Sequence, residues 1–412
     1  MSVTQKFTFI DLFSGIGGFH KALASLGGEC VLACDVDARC NTVYENNYGI
    51  RPKTDIKTIP VEEVPDHDVL CAGFPCQPFS KGGNRQGFAD KTRGTLFYEI
   101  IRIALAKKPR YLILENVQNF VSHDAGNTWR TTIAALREIG YSVSDQPILL
   151  SPHLLPSSRG GAPQRRERVY ILAERADKQL TPITAQDVQG RGIAGQQVAW
   201  DFADWLTTHR GPDASDPKYA ISAVEKRWIS AWGALLSKVG EDLSGGYPLW
   251  EREFRSAAKK KGLPEWKVRF HERNRDFYLA HQEDVDAWRV AKKISTFPDS
   301  KRKLEWNVGG QYEGCTNSIF KYLIQFLPSG ILVKSPTYVG TLVASVQTPI
   351  IGWEKRYLTP GEAGLLQGFP RSFQRDPNDK AAYKQFGNAV NVGVVTLAAR
   401  TLLTHAADGI LR

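Results

Sequence analysis

Short apolar runs recur through the first 175 positions, each broken by glycine or acid and followed by apolar residues at helical spacing. Phe7-Thr8-Phe9-Ile10-Asp11-Leu12-Phe13 reads as a strand. Ser14-Gly15-Ile16-Gly17-Gly18 breaks it, and Phe19, Leu23 and Leu26 then mark a helix that stops at Gly27-Gly28. Cys30 to Cys34 reads as the next strand, ending at Asp35-Val36-Asp37. Asp68-Val69-Leu70-Cys71-Ala72 is a third, and Tyr111-Leu112-Ile113-Leu114, closed by Glu115-Asn116-Val117, a fourth. Helices are expected over Thr95–Ala106 and Thr128–Ile139, with strands over Tyr141–Leu150 and Val169–Ala173. Such alternation predicts the α/β class, with a doubly wound, mostly parallel sheet.

From about Ala176 the alternation lapses. Trp200, Trp205, Trp228, Trp232, Trp250, Trp266, Trp288 and Trp306 are spread through a stretch with basic clusters at Arg252, Arg255, Lys259–Lys261, Lys267, Arg269, Arg273 and Arg275. This reads as a second, smaller domain. Basic residues interleaved with aromatics suit a nucleic-acid surface, while each tryptophan taken singly is more simply a core residue. The α/β texture returns after Arg356. Thr359-Pro360-Gly361-Glu362 has the N-cap, first-turn proline and third-position acid of a capping box, and a last helix runs from beyond Gln385-Phe386-Gly387-Asn388-Ala389-Val390 to about Thr404. The expected division is therefore 1–178 with 375–412 as one domain and 179–374 as the other.

Composition narrows the class. With 412 residues, 42% hydrophobic and 23% charged, the chain is an ordinary globular one. A net charge of +10 favours a polyanionic partner. The six cysteines form no paired Cys-x-x-Cys knuckle, so no metal site is expected. No apolar run is read as a membrane span and no secretory signal opens the chain, so a cytoplasmic protein with free thiols is expected.

Five features carry chemistry. The glycine turn Gly15-x-Gly17-Gly18 lets a ligand approach the backbone, and its spacing misses the dinucleotide pattern Gly-x-Gly-x-x-Gly, so an adenosine ligand without pyrophosphate fits better. Asp35 or Asp37 stands where a ribose diol is bound in doubly wound sheets, or else caps the following helix. Gly73-Phe74-Pro75-Cys76-Gln77-Pro78-Phe79-Ser80 presents one thiol on a rigid loop after a strand. Glu115 ends a buried run, which is costly for a carboxylate unless it is paired or functional. Arg165, Arg166 and Arg168 precede another strand and suit a carbonyl oxygen or a phosphate.

Together, and in this order, these segments resemble the DNA (cytosine-5) methyltransferases, most closely the bacterial restriction–modification type. The resemblance runs through Phe9–Gly18, Gly73–Gln77, Glu115–Val117, Gln164–Arg168, Arg356–Pro360, Leu366-Gln367-Gly368-Phe369-Pro370 and Gln385–Val390. It implies the Rossmann-like fold of S-adenosylmethionine-dependent methyltransferases, with a target-recognition domain and duplex DNA as substrate. Cys76 would be the nucleophile toward carbon 6 of a flipped cytosine. Glu115 would bond ring nitrogen 3 and the exocyclic amine, Arg168 the carbonyl, and Arg166 would lie nearer the backbone phosphates. S-adenosylmethionine, leaving as S-adenosylhomocysteine, would be held by Phe13, Gly15, Ile16, Gly17, Asp35, Val36, Asp55, Pro75, Leu96, Asn388 and Val390. DNA would meet Ser80 and Arg85 on a closing loop, Gln311, and Thr341-Leu342 of a Thr-Leu-Val signature. The implied setting is a monomer in a bacterial cell, host or phage-encoded, alongside a cognate restriction endonuclease. The competing readings are an RNA cytosine-5 methyltransferase and a catalytically silent DNA-binding regulator.

Overall fold

The computed structural model describes residues 6–75, 95–175, 180–189, 198–239, 248–255, 262–308, 319–342 and 347–405. Cys76, Ser80, Arg85 and Gln311 lie outside the described residues. The chain divides into two compact units, Met1–Trp200 with Gly340–Ala344 and Ala363–Arg412, and Asp201–Val339 with Ser345–Glu362.

Among the described residues, the first unit is built on a seven-stranded sheet. Its chain order is β1 (Phe7–Leu12), α1 (Gly18–Ala24), β2 (Gly28–Cys34), α2 (Ala38–Tyr48), β3 (Val69–Gly73), α3 (Leu96–Lys107), β4 (Tyr111–Val117), α4 (Asn127–Glu138), β5 (Tyr141–Val143), β6 (Ile148–Leu150) and β7 (Arg168–Arg175). The spatial order is β2-β1-β3-β4-β7-β5, with β6 also on β7. β2, β1, β3 and β4 run parallel, while β7 is antiparallel to β4, β5 and β6. The strand order reverses at β1, so the chain leaves β1 toward one edge and returns at β3 toward the other. Ligands bind at such a switch point, beyond the carboxyl ends of the parallel strands. Because β7 runs the other way, its first residue, Arg168, pairs with Val117 at that same end.

Burial explains why these segments are strands. Phe9, Ile10, Leu12, Leu70, Ala72, Leu112 and Leu114 are shielded from water, as helices covering both faces of a parallel sheet require. Cys71 is fully buried in β3, and burial raises its thiol pKa well above the usual range, so it is a core residue. The expected single strand over Tyr141–Leu150 is two. Ser144-Asp145-Gln146-Pro147 forms a turn, with Trp129 Nε1 donating to Asp145 O at 2.9 Å and Arg137 paired to the Asp145 carboxylate at 2.8 Å. The last helix, Val392–His405, packs on α1 and β7. It also lies close against the turn ending at Gly160, an approach that depends on Gly393, where a Cβ would stand 2.0 Å from Gly160 O. Asp379–His405 contains the one stretch among the described residues that is long and apolar enough to cross a membrane, and 72% of it is buried in the fold. It is also divided into two helices, Asp379–Asn388 and Val392–His405.

The second unit has its own core. A six-stranded sheet among the described residues runs β13 (Arg356–Tyr357), β12 (Ile350–Ile351), β10 (Leu323–Phe326), β11 (Ile331–Lys334), β9 (Lys303–Asn307), β8 (Pro248–Trp250). Helices Ala223–Val239 and Gln282–Ala291 bring Trp232 and Trp288 into that core with Trp306. Among the described residues, Trp266 alone of the large aromatics is mostly exposed, with Lys267 Nζ 5.6 Å from its ring centroid. The core explanation thus holds for Trp232, Trp288 and Trp306. Buried charges here are paired: Glu251 bonds Arg289 and Arg302, and Glu362 takes a bidentate bond from Arg356 at 2.7 and 2.8 Å. Thr359 and Glu362 form the reciprocal capping box read from sequence, with N–H to carboxylate at 2.9 Å and N–H to hydroxyl at 3.2 Å.

The unit boundaries differ from the expected 178/179 and 374/375. Residues before Trp200 stay with the first unit because Ser142 Oγ donates to Leu180 O, Arg159 to Val188 O and Trp200 Nε1 to His153 O. Residues after Ala363 do so because Asn391 Nδ2 donates to Leu366 O and Val392 N to Gln367 O.

Candidate active site

β1 ends in a chain reversal that only unusual backbone angles allow. Phe13 has φ +55°, rare for a bulky residue, and Gly15 has φ +53°. A Cβ at Gly15 would meet nothing within 4 Å, so the turn opens onto free space. Gly15 N donates to Asp35 Oδ2 at 2.8 Å, and Asp37 N donates to Asp35 Oδ1 at 2.8 Å. The Asp35 carboxylate is thereby aimed from the end of β2 across the end of β1. Burial raises its pKa, and the two backbone N–H groups act against that rise. Asp37 resolves as the cap of α2, accepting from Arg39 N and Cys40 N.

The next strand end supplies a second wall. Gly73 of β3 pairs in register with Glu115 of β4. Asn116 Nδ2 donates to Phe74 O at 2.8 Å, which ties the chain leaving β3 to β4. Phe74 is packed between Phe97 and Phe120. Pro75 follows, exposed, and is the last described residue before the stretch that contains Cys76.

Glu115 is the chemical centre of the described residues. Arg168 Nε lies 3.1 Å from Glu115 Oε1, an ion pair at the carboxyl ends of the parallel strands. Burial pushes the Glu115 pKa up, against the opposing charges of Arg166 and Arg168. Arg166 is 2% exposed. Its guanidinium donates to Gly387 O at 2.9 Å and Ala389 O at 2.7 Å, the carbonyls at the end of helix Asp379–Asn388. The expectation that Arg166 faces phosphates is therefore corrected: the side chain is buried, and its Nη1 and Nη2 donate to buried carbonyls, bolting that helix end to the sheet. Burial lowers its pKa to about 10, so it stays charged at neutral pH. Arg166→Met is expected to lower stability by about 3 kcal/mol, since two buried carbonyls lose charged donors. Urea denaturation monitored by tryptophan fluorescence checks this.

These residues enclose one cavity of about 510 Å³, within the first unit. Phe13, Gly15, Asp35, Val36, Pro75, Leu96, Asn388 and Val390 line it together with Glu115, Arg166 and Arg168. Ile16 and Gly17 do not line it. Ile16 is in the core, and Gly17 has φ +85° with a Cβ position 2.2 Å from the Tyr48 ring. Asp55 is also absent from the lining, because its carboxylate caps the turn at Lys57 N, 2.9 Å away. Thr341 Oγ1 donates to Arg165 O at 2.8 Å, and Leu342 is buried, so its side chain is packing rather than a free DNA contact. Ser14, Cys40, Asn116 and Gln385 also line the cavity and were not singled out from sequence. Asn116 had a signal, standing directly after the chain-end acid Glu115; Cys40 and Gln385 sit on helices whose facing the pattern does not give. Among the described residues no group of His, Cys, Asp or Glu gathers as a metal site.

The comparisons agree with this geometry. The family model described as C-5 cytosine-specific DNA methylase matches residues 7–404. The Type II methyltransferase M.HpaII of Haemophilus parainfluenzae is 43% identical over 98% of this chain and 90% of its own. M.AluI of Cellulosimicrobium cellulans, also a Type II methyltransferase, is 36% identical over 95% and 90%. In fold, the crystal structure of the S. pombe Dnmt2 methyltransferase superposes with a TM-score of 0.50 at 20% identity, over 97% of this chain and 99% of that one. The sheet-end cavity with its buried Glu115–Arg168 pair is thus carried by a chain that belongs to the C-5 cytosine-specific DNA methylases.

Proposed function

We propose that this chain methylates carbon 5 of a cytosine flipped out of duplex DNA, through a covalent adduct with Cys76, using S-adenosylmethionine as donor. The observation that carries this reading is the placement of Glu115 and Arg168 on the same cavity as Gly15 and Asp35. One end offers a buried acid and a guanidinium, suited to a pyrimidine edge. The other offers an acid and apolar walls, suited to an adenosine.

The residues present fit S-adenosylmethionine. A volume of about 510 Å³ is the size of a cofactor site. Phe13, Leu96 and Val390 give apolar walls, and Val36, 76% exposed, is an unpaired apolar surface beside Asp35. Ser14 Oγ is buried without a partner next to the open turn at Gly15. Asp35 would hold the ribose diol with its remaining lone pairs. Bound there, the donor supplies an electrophilic methyl group.

The chain's own residues then do the following. A Cys76 thiolate forms a bond to carbon 6, and the ring's electron pair moves toward carbon 5 and the N3–carbonyl side. Glu115, whose pKa burial raises, would present a proton to ring nitrogen 3, where negative charge develops. Arg168 fixes the Glu115 carboxyl and offers its free donors to the carbonyl oxygen. After carbon 5 has gained the methyl group its proton leaves to a base, and the electron pair left behind expels the Cys76 sulfur. The base is unflipped only after that bond breaks.

The second unit, with its basic and aromatic surface at Trp266, Lys267, Arg269 and Arg273, would supply target recognition. We read the whole as a monomeric enzyme of a restriction–modification system in the bacterial cytoplasm, protecting host sites from a cognate endonuclease. Transfer of tritium from labelled S-adenosylmethionine to duplex DNA, with tRNA in parallel, tests the substrate. Label in the duplex alone supports the proposal; label confined to tRNA overturns it.

A further inference from the structure

Two ion pairs and an amide clamp join α2 to the segment from Gln374 to Lys384, and of their residues only Asp37, the cap of α2, lines the cavity. Arg39, in the first turn of α2, donates to Asp376 with Nε at 2.9 Å and Nη2 at 2.6 Å. Lys384 Nζ lies 3.7 Å from Asp37 Oδ2, the cap of α2. Further along α2, Asn47 Nδ2 donates to Gln374 O at 2.8 Å, and Gln374 N donates to Asn47 Oδ1 at 2.9 Å. All of these residues belong to the first unit.

Each end of this set is wired to a cavity wall. On one side, Asn41 Nδ2 of α2 donates to Asp35 O at 2.8 Å, and Asp35 in turn holds Gly15 N. On the other, Asp376 accepts from Asn378 N at 2.8 Å, the cap residue of helix Asp379–Asn388. It also accepts from Gln385 Nε2 at 3.4 Å. Gln385 and Asn388 of that helix line the same cavity as Asp35. A bidentate guanidinium–carboxylate pair has fixed geometry, so it sets a separation between α2 and the Asp376 turn. Asp376 is 5% exposed at its side chain and Arg39 57%, so one partner is buried while the other is open to screening by salt.

We propose that Arg39–Asp376, supported by Lys384–Asp37, is an electrostatic latch that sets the width of the adenosine end of the cavity and so tunes affinity for the methyl donor. Arg39 is a positioning residue: it touches no ligand and acts through Asn41 and Asp35 on one side and Gln385 on the other. The proposal rests on the cavity being the S-adenosylmethionine site. It makes donor affinity sensitive to ionic strength even though the donor carries little net charge.

Titration calorimetry of the full chain with S-adenosylhomocysteine tests this, on wild type, Arg39→Gln and Arg39→Lys, across a potassium chloride series. The expected result is a roughly fivefold to tenfold weaker Kd for Arg39→Gln at low salt. Arg39→Lys recovers part of it, and rising salt weakens wild type toward the Arg39→Gln value while leaving that variant unchanged. A merely structural Arg39 would give parallel salt curves. Equal affinity and equal salt dependence in wild type and Arg39→Gln overturns the latch alone. Failure of wild type to bind S-adenosylhomocysteine overturns the cofactor reading, and the latch with it.

Discussion

Cys76→Ser is expected to abolish methyl transfer, by more than about 10³-fold, while duplex DNA is still bound. A thiol reaches its thiolate near neutral pH when its surroundings favour the anion, whereas a serine hydroxyl does not, and carbon 5 of cytosine is a poor nucleophile until carbon 6 has been attacked. Recognition draws on other groups, so a gel shift on target duplex should be retained. The chain leading to this residue is held from below: Gly73 is locked in register with Glu115, and Asn116 fixes Phe74 O. Tritium transfer and gel shift on the same preparation are the check; a Cys76→Ser protein with wild-type transfer contradicts the mechanism.

The second large effect is at Glu115. Glu115→Gln keeps the side chain's size but removes the proton that a carboxylic acid places at ring nitrogen 3. A loss of about 10²–10³ in kcat is expected, with the Kd for S-adenosylhomocysteine changed little. The pH dependence gives a sharper signature. Burial raises this carboxyl's pKa, so the folded enzyme keeps the proton to a higher pH than the unfolded chain does. If the protonated form acts, wild-type kcat falls as pH rises through that raised pKa. Glu115→Gln, which cannot titrate, should lose that limb and show a flat residual rate there.

How far the sequence foretold this arrangement depends on the kind of residue. Strand ends were legible because Tyr111–Leu114 and Val69–Ala72 are unbroken apolar runs that fit a sheet covered on both faces. A carboxylate at the end of such a run, Glu115, announced itself by its cost. Thr359 and Glu362 were legible as a capping box because both partners lie within one helical turn. The role of Arg166 was not, since its acceptors, Gly387 O and Ala389 O, are more than two hundred positions away and a carbonyl leaves no mark in a side-chain pattern. Asp55 and Asp35 are alike as residues in polar turns; only the fold shows that one caps its own turn while the other faces the cavity. Thr341-Leu342 was read as a DNA contact from a short signature, whereas burial commits Leu342 to packing. The unit boundaries escaped for the same reason, being set by long-range bonds such as Trp200 Nε1 to His153 O rather than by composition.

The claim that joins these observations is that cytosine is attacked by Cys76 in a site floored by Glu115 and Arg168. The most direct measurement is covalent trapping on duplex DNA carrying 5-fluorocytosine at the target, in the presence of S-adenosylmethionine, followed by proteolysis and mass mapping. Fluorine at carbon 5 cannot leave as a proton does, so the sulfur cannot be expelled after transfer. The account predicts a denaturation-resistant adduct, carrying one added methyl group, mapped to the peptide containing Cys76. Binding of that duplex with no adduct, or an adduct on another residue, would contradict it.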